Sequence, residues 1–301
     1  MPSRWLSPTT CLLLLAATSS VGMGSVYSEL VINNTDPVIY WNQDETSGAQ
    51  AADLVGGDNP GTYGGTHTLG QAGPRPSDGF RYRHMDADNK APSVTANGYT
   101  VYTSLTTGAG ASTGAYSVQT WFNSTVDDFN DRVLQYVFAR GDSAVAGEWR
   151  DAVYIYGSWT GVSPKPTGRL VYPKGGGALA VGDTVLSPDT WNHLVFVRDG
   201  SATNKTRVYL NGELEIEDTS GWTGTTGEHL TAGHRTDYSA AHGGLGLWGR
   251  YDEVAVWDRA LAAGEVRQLF MFASVVPEPS SIVVWLIALA ACALFVRRRK
   301  R

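Results

Sequence analysis

Apolar and polar residues alternate over short segments along most of the chain, and each segment ends at Gly, Pro, Asp or Asn. Alternation with a period of two is typical of strands that bury one face. The pattern predicts strands over 115–122, 133–138, 151–156, 169–172, 191–197 and 254–257. Many short strands between turn residues predict an all-β fold, a two-sheet antiparallel β-sandwich.

Two further local elements follow from the pattern. The segment 208–216 predicts a hairpin around Asn211-Gly212, because these residues tolerate the positive φ angles of a type I′ turn. A short helix is predicted from Asp258 to about Phe270, with its apolar residues packed on the sandwich (Leu261, Val266, Leu269 and Phe270). Residues 56–79 are rich in Gly and Pro and predict loops.

The first 24 residues have the composition of a secretory signal peptide. Arg4 precedes an apolar run from Cys11 to Ala17, and small residues then extend from Thr18 to Ser25, which predicts cleavage there by a signal peptidase. The apolar run is too short for a stable membrane anchor. We therefore expect an exported protein.

The C-terminal end predicts a membrane segment. Residues 282–296 contain no charged residue, and the basic cluster 297–301 follows directly. A helix over 280–296 is about 25 Å long, which is marginal for a hydrocarbon core of about 30 Å. The basic cluster favours a cytoplasmic end, which places the folded part on the far side of the membrane.

This tail closely resembles the PEP-CTERM sorting signal. It has, in order, Pro277-Glu278-Pro279, the apolar segment and the terminal basic residues, which include Arg297, Arg298 and Arg299. The resemblance implies processing by an exosortase-type enzyme after an inner-membrane stage, with delivery to the cell surface or extracellular matrix. The expected division is signal peptide 1–24, sandwich 25–272, linker 273–281, membrane helix 282–296 and cytoplasmic tail 297–301. A plain tail anchor without processing is the alternative.

Charge and cysteine content limit the classes of ligand and the covalent cross-links that we expect. The chain has 23 Lys and Arg and 29 Asp and Glu; six basic residues and one acidic residue lie in the two end segments, which leaves a net charge of −11 for 25–276. An acidic surface disfavours nucleic-acid binding and fits neutral sugars or divalent cations. Both cysteines, Cys11 and Cys292, lie in the end segments, so we expect no disulfides in the sandwich.

Three sequence motifs occur in a fixed order along the chain and indicate a particular kind of sandwich. They are Tyr116 to Phe122 (YSVQTWF), Trp191 to Gly212 (WNHLVFVRDG with RVYLNG), and Gly249 to Leu261 (GRYDEVAVWDRAL), and the segment from Tyr40 to Gly48 precedes them. Together they resemble the LamG-like jellyroll family of the concanavalin A-like lectin/glucanase superfamily, over about residues 36–272. The resemblance implies a jellyroll sandwich and, as a function, binding of polysaccharide or another glycoconjugate.

Catalysis has one candidate segment. Glu213, Glu215 and Glu217 alternate with apolar residues, so a regular strand would place the three carboxylates on one face. The superfamily includes laminarinase- and lichenase-like glycosidases with a Glu-x-Asp-x-Glu strand, but here the central residue is Glu215. An exposed acidic edge, which also deters pairing with other strands, is the preferred interpretation of the segment. We expect a protein that is not an enzyme and has no catalytic residues, with a glycoside hydrolase as an alternative.

Metal ligands are expected among hard oxygen donors. Related sandwiches often hold a structural calcium, and Asp44 and Asp252 are the candidate ligands. His229, His234 and His242 lie in a loop-rich segment with Asp237, where a metal site is a weaker alternative. His193 lies within a strand motif, which favours a structural role.

Aromatic residues supply the candidate ligand contacts. Trp121, Trp191 and Trp257 belong to strand motifs and are expected in the core. Trp149, Trp159 and Trp222 lie near turns and are expected to be exposed, where flat rings stack on sugars. With Asp237 they form the predicted binding set. The alternative is a structural or adhesive matrix protein that binds protein partners.

Overall fold

The structure is a computed structural model that describes residues 25–95, 99–102, 114–141, 151–160, 163–174, 178–200, 205–219, 229–235 and 245–274. Within these residues the chain forms two antiparallel sheets of eight strands each, packed face to face. The predicted all-β sandwich is therefore confirmed. The strands are numbered β1–β16 in chain order.

Sheet A contains the three motif strands at its centre. Its strands are β1 (Ile39–Trp41), β4 (His67–Ala72), β5 (Lys90–Val94), β7 (Tyr116–Ser124), β12 (Trp191–Arg198), β13 (Thr206–Leu210), β14 (Glu213–Asp218) and β16 (Gly249–Trp257). They lie in the order β14-β13-β12-β7-β16-β5-β4, and β1 also pairs with β16. Trp41 lies opposite Val254 in that pairing, so the start of the sandwich meets its last strand.

Sheet B contains β2 (Gln50–Ala51), β3 (Gly61–Gly64), β6 (Tyr99–Tyr102), β8 (Leu134–Gly141), β9 (Asp151–Tyr156), β10 (Arg169–Pro173), β11 (Leu179–Val185) and β15 (His229–Ala232). Their order is β11-β10-β9-β8-β15-β6-β3-β2. The edge strands β11 and β14 of the two sheets lie next to each other.

The central strands of sheet A, β7, β12 and β16, are buried on both faces. In β12, Leu194 and Phe196 point into the core between the sheets, while Val195 and Val197 point to a second apolar layer on the outer face. Helix α1 (Val26–Thr35) and helix α2 (Ala263–Phe272) cover that outer layer. Trp121, Trp191 and Trp257 are buried there, so their predicted core positions are confirmed, in the helix-covered layer.

The two helices bring the ends of the sandwich together. The Tyr27 N–H donates to the carbonyl of His84 (3.0 Å), and the His84 N–H donates to the carbonyl of Ala273 (3.1 Å). His84 thus joins the first turn of α1 to the end of α2. Short 3₁₀ helices at Pro76–Asp78 and Phe80–Tyr82 precede this connection, and a third lies at Phe129–Asp131.

The predicted strands and the hairpin are confirmed, whereas the predicted loop region is not. The predicted strands are present with ends shifted by a few residues, and the hairpin has positive φ at Asn211 (52°) and Gly212 (84°), as a type I′ turn requires. The prediction of loops over 56–79 is wrong, because β3, β4 and a 3₁₀ helix lie there. Hydrogen bonding to β6 and β5 orders this segment despite its Gly and Pro content. The helix α1 was not predicted.

Within the described residues, no helix combines the length and the apolar composition needed to cross a membrane. The predicted membrane helix and the sorting residues Pro277, Glu278, Pro279, Arg297, Arg298 and Arg299 lie outside the described residues.

Candidate functional site

The two predicted calcium ligands lie in one buried region. Asp252 is in β16 and is fully buried, and Asp44 follows β1, which pairs with β16. Asp44 accepts hydrogen bonds from the Lys90 N–H (2.8 Å) and the Asn42 side-chain amide (2.7 Å). Asp252 accepts from the Asn89 side-chain amide (2.8 Å). Asn89 and Lys90 are consecutive, so this short segment links the two carboxylates.

Several other carboxylates surround this pair. We call the group Asp44, Asp86, Asp88, Asp252 and Glu253 the acidic cluster. Burial raises the pKa of Asp44 to about 6, and the charges of Asp86, Glu45 and Asp88 add to that increase. The pKa of Asp252 is raised well above its ordinary value, first by burial and then by the charges of Glu253 and Asp44. Burial and mutual repulsion therefore disfavour the charged form of these carboxylates.

The chemistry of the acidic cluster fits a hard cation in part. The Asn89 side-chain oxygen is buried and accepts no hydrogen bond from the described residues, so an amide oxygen is available beside two carboxylates. Gly73 fits closely against the same group: a Cβ atom there would lie 2.6 Å from Asn89 Nδ2 and 2.8 Å from Asp252 Oδ2. Among the described residues, however, no three His, Cys, Asp or Glu side chains are arranged as a metal site. Further oxygen ligands would have to be carbonyls or water.

A polar cleft of about 330 Å³ lies on the other side of Gly73. We call it the rim cleft, and its lining combines polar, charged and aromatic residues (Ala72, Gly73, Asp78, Tyr82, Asn123, Asp189, Thr190, Trp191 and Arg250). The volume falls in the range of pockets that hold small ligands. Five separate segments of the chain contribute to it, from the end of β4 to the start of β16.

Sheet register places the three central side chains of the cleft in a row. Trp191 of β12 lies opposite Asn123 of β7, and Asn123 lies opposite Arg250 of β16. The Arg250 guanidinium donates to the carbonyl of Ala72 (3.0 Å) and to Asp189 Oδ1 (2.9 Å), and it lies 5.4 Å from the centre of the Trp191 ring. These contacts hold Arg250 in one orientation over the aromatic ring.

The cleft offers both donors and acceptors. Asp78 and Asp189 are exposed carboxylates, and the Asp189 side chain is 72% accessible. Arg250 places a guanidinium donor in the wall of the cleft, whereas Asn123 Nδ2 and Arg250 Nε are buried and have no acceptor among the described residues. Such a mixture suits a ligand whose groups both donate and accept, as hydroxyl groups do. Trp191 is only 6% exposed, so it supports Arg250 instead of offering an open ring face.

The predicted binding residues lie elsewhere. Trp159 is 40% exposed, as expected, but it follows β9 of sheet B and packs near Tyr156, away from the lining of the rim cleft. Trp149, Trp222 and Asp237 lie outside the described residues. The cleft residues were missed because they come from distant segments. No local pattern in the sequence pointed to them, because the cleft forms only when these segments come together in the sheet.

The three alternating glutamates do not converge. Val208 lies opposite Ile216 and Tyr209 opposite Leu214, so Glu215 occupies a bulge that interrupts the period of two. Glu215 accepts from the Thr184 N–H (2.6 Å), Glu217 pairs with Arg207 (3.0 Å), and Glu213 faces Arg267 (3.6 Å). The expectation that all three share one face is therefore wrong, because the bulge and separate partners divide them.

The histidines have structural surroundings. His193 is fully buried beside Trp121 and Phe270, and burial lowers its pKa to about 3. His234 is also buried, with Nδ1 3.0 Å from the carbonyl oxygen of Arg235. His242 lies outside the described residues.

Fold and cleft together define a β-sandwich of the kind that presents a small polar site at one rim. The profile of the concanavalin A-like lectin/glucanases superfamily, in its third laminin G group, matches residues 97–267, more than half of the chain. The chain therefore belongs to the concanavalin A-like lectin/glucanase superfamily. No curated protein matches the sequence significantly.

Several solved structures have a similar fold. Trypanosoma rangeli sialidase matches 78% of this chain and 32% of its own, with 11% identity and a TM-score of 0.54. The binding domain of botulinum neurotoxin serotype G matches 78% of this chain and 50% of its own, with 11% identity and a TM-score of 0.51. Domain 4 of AbnA, a GH43 extracellular arabinanase from Geobacillus stearothermophilus in complex with arabinotriose, matches 77% of this chain and 97% of its own, with 17% identity and a TM-score of 0.46. The chain thus spans less than two thirds of the first two solved chains, and the likeness concerns the fold.

Proposed function

We propose that this protein is an exported surface or matrix protein that binds neutral carbohydrate or a glycoconjugate in the rim cleft, without catalysis. The arrangement of Arg250 is the main support for the proposal. Its guanidinium is fixed above Trp191 and beside Asp189 at the mouth of a polar cleft. Membership of a superfamily of lectins and glucanases agrees with this function but does not by itself assign one.

The ligand class follows from the donors and acceptors of the cleft. Each sugar hydroxyl both donates and accepts, so vicinal hydroxyls can bridge Arg250 and Asp189. Asp78 and Asp189 repel a negatively charged ligand, and the net charge of −11 over 25–276 acts in the same direction. We therefore expect neutral saccharides to bind more tightly than uronic or sulfated ones.

A calcium ion in the acidic cluster is the second part of the proposal. Asp44, Asp252 and the Asn89 amide oxygen would hold it, and backbone carbonyls or water would complete the ligand set. Bound calcium would stabilise the charged form of both carboxylates, which burial and then the neighbouring carboxylates disfavour. Since Gly73 contacts the cluster and lines the cleft, calcium would also order one wall of the cleft.

A glycan array with the exported protein tests the binding proposal. Asp189→Asn and Asp78→Asn should weaken binding of a neutral saccharide by roughly tenfold, the loss expected for a hydrogen bond to a charged group. Asp183→Asn, an exposed carboxylate of β11, serves as the matched control. Self-association without glycan binding would favour the adhesive matrix function, and release of reducing sugar would show a glycosidase. Trp159→Ala tests the originally predicted contact.

Calcium binding has a separate test. Isothermal titration with calcium alone should show one site that is lost in Asp44→Asn and in Asp252→Asn. Export is tested by mass spectrometry of surface material from the host. Loss of residues 1–24 and cleavage near Pro277-Glu278-Pro279 would support signal peptidase and exosortase-type processing, whereas an intact cytosolic chain would contradict it.

A further inference from the structure

A second arginine is stacked on a tryptophan at the same rim of the sandwich. The Arg132 guanidinium lies 3.6 Å from the centre of the Trp248 ring, closer than Arg250 lies to the ring of Trp191 (5.4 Å). Arg132 and Trp248 are both partly buried. We call this pair the second stack. Saccharide binding in the rim cleft alone leaves it without a role.

The main chain fixes the second stack beside the rim cleft. Trp248 comes two residues before Arg250, and its carbonyl accepts from the Thr125 N–H (2.9 Å), just after β7. Gly249 between them packs directly on β7, because a Cβ atom there would lie 1.9 Å from the carbonyl oxygen of Asn123. The Cα atoms of Trp248 and Arg250 are therefore within about 7 Å of each other.

The Arg132 guanidinium has a donor that the protein does not use. Its Nη1 atom donates to the carbonyl of Asp131 (3.2 Å), whereas its Nη2 atom makes no hydrogen bond with the described residues. No carboxylate of the described chain forms an ion pair with it, although Asp128 and Asp131 are exposed close by in the sequence. Stacking on Trp248 holds the planar group in one orientation, which reduces the entropy lost when a ligand binds.

Exposed groups continue beyond Arg132. The Ser158 N–H donates to the carbonyl of Arg132 (2.8 Å), and the next residue, Trp159, is 40% exposed. Thr125 and Asp131, which contact the two members of the second stack, are also exposed. A flat ring, a hydroxyl, a carboxylate and an oriented guanidinium can together stack on sugar rings and bond their hydroxyls.

We infer that the ligand is a neutral polysaccharide chain that lies along this rim, with one part in the rim cleft and the next part on Arg132. The inference rests on the proposed function and adds the length of its ligand. Arg132 precedes β8 of sheet B, whereas the cleft belongs to sheet A, and packed sheets are about 10 Å apart. A sugar that fills the cleft therefore reaches Arg132 only when further units follow it.

A comparison of ligand lengths tests this extension. The full-length chain, in a detergent without a sugar headgroup, is titrated with the disaccharides and hexasaccharides derived from cellulose, laminarin and arabinan. At least one hexasaccharide should bind about tenfold more tightly than its disaccharide, because it gains a hydrogen bond to a charged group. Arg132→Ala should remove that gain and change disaccharide binding by less than about twofold. Arg267→Ala, at an exposed arginine of α2, is the matched control.

The unaltered protein allows a second measurement, which does not depend on the folding of Arg132→Ala. Phenylglyoxal modifies accessible guanidinium groups, and mass spectrometry of the peptides locates the modified residues. The bound hexasaccharide should slow the modification of Arg132 and Arg250, whereas the disaccharide should slow that of Arg250 alone. Modification of Arg132 at the same rate with and without bound hexasaccharide would overturn the inference.

The extension and the proposed function fail differently. If a hexasaccharide binds no better than its disaccharide, or Arg132→Ala weakens both equally, only the extension along the rim is wrong. Asp189→Asn should weaken both lengths, because Asp189 lines the rim cleft. If none of the saccharides binds at either length, the rim cleft is not a saccharide site and the extension is wrong with it.

Discussion

Glu215 of β14 accepts hydrogen bonds from both the N–H (2.6 Å) and the hydroxyl (2.9 Å) of Thr184 in β11. These two strands are the edges of different sheets, so one carboxylate joins sheet A to sheet B. The bulge at Glu215 turns the side chain towards β11, and Gly182 leaves the space that it occupies.

Replacement of Glu215 by Ala should lower the free energy of unfolding by about 1–3 kcal/mol, because the edge of β11 loses two hydrogen bonds to a charged group. Urea unfolding measures the change. Glu217→Gln is the matched control, since Glu217 contacts the exposed side chains of Lys205 and Arg207 on the same strand pair. Equal effects of the two substitutions would contradict a role for Glu215 in closing the sandwich.

A buried ion pair links the sheets through the core. Arg198 of sheet A contacts Asp151 of sheet B (2.5 Å), and the Tyr116 hydroxyl donates to the same carboxylate (2.6 Å). Asp151→Asn should destabilise the fold by about 3–5 kcal/mol, because Arg198 stays buried without its counter-charge.

Calorimetry of Asp151→Asn checks that value. The double replacement of Asp151 by Leu and Arg198 by Met should cost less than Asp151→Asn alone, since it leaves no uncompensated charge. If the free energy of unfolding of Asp151→Asn lies within about 1 kcal/mol of that of the native protein, the pair does not hold the sheets together.

His193 predicts a pH dependence. Burial lowers its pKa in the fold to about 3, below the ordinary value of 6.5, so the unfolded chain takes up the proton first as pH falls. The neutral ring therefore contributes stability that is complete above pH 6.5 and is lost on acidification towards pH 3. Between pH 6.5 and 4 the loss should be about 3 kcal/mol.

Urea midpoints measured across that pH range test the assignment. Gln119 uses its side-chain nitrogen to donate to Tyr27 and Glu253, so its oxygen accepts from His193 Nε2 (3.2 Å). In His193→Gln this part of the pH dependence should disappear while other acid-sensitive groups remain. An unchanged slope would show that His193 is not the responsible group.

Gly73 predicts a link between the acidic cluster and the rim cleft. In Gly73→Ala the new methyl group would meet Asn89 Nδ2 at 2.6 Å and Asp252 Oδ2 at 2.8 Å, both closer than real Cβ contacts. We expect a loss of about 1–3 kcal/mol of stability and weaker calcium and saccharide binding. Gly56→Ala is the control, because nothing lies within 4 Å of a Cβ there. If Gly73→Ala still binds both ligands tightly, the acidic cluster and the rim cleft are not coupled through Gly73.

The sequence predicted the sandwich because strand alternation and turn residues are local signals. The limits of β9 match the pattern, and the Asn211-Gly212 turn has the expected backbone. Helix α1 escaped prediction because its apolar residues do not fall on one face: Val26 is exposed, whereas Ser28 and Thr35 are buried. The strands of 56–79 escaped because their order comes from pairing with β5 and β6, not from their own composition.

The candidate site was only partly predictable. Asp44 and Asp252 were predicted together as calcium ligands, and it is the pairing of β1 with β16 that brings them close across more than 200 residues. Their calcium ion stays a prediction. The rim cleft depends on sheet order, which places Trp191, Asn123 and Arg250 on neighbouring strands. No local pattern encodes that neighbourhood.

The hydrogen bonds of His84 to Tyr27 and Ala273 keep the beginning and the end of the sandwich close together. Both bonds are made by the main chain of one residue, so the backbones of Tyr27 and Ala273 lie within about 10 Å of each other. A domain whose entry and exit are that close can be spliced into a loop of another protein, or strung in tandem copies, without stretching either joint. If the protein is attached through these two ends, sheet B lies on the opposite side and faces away from the attachment.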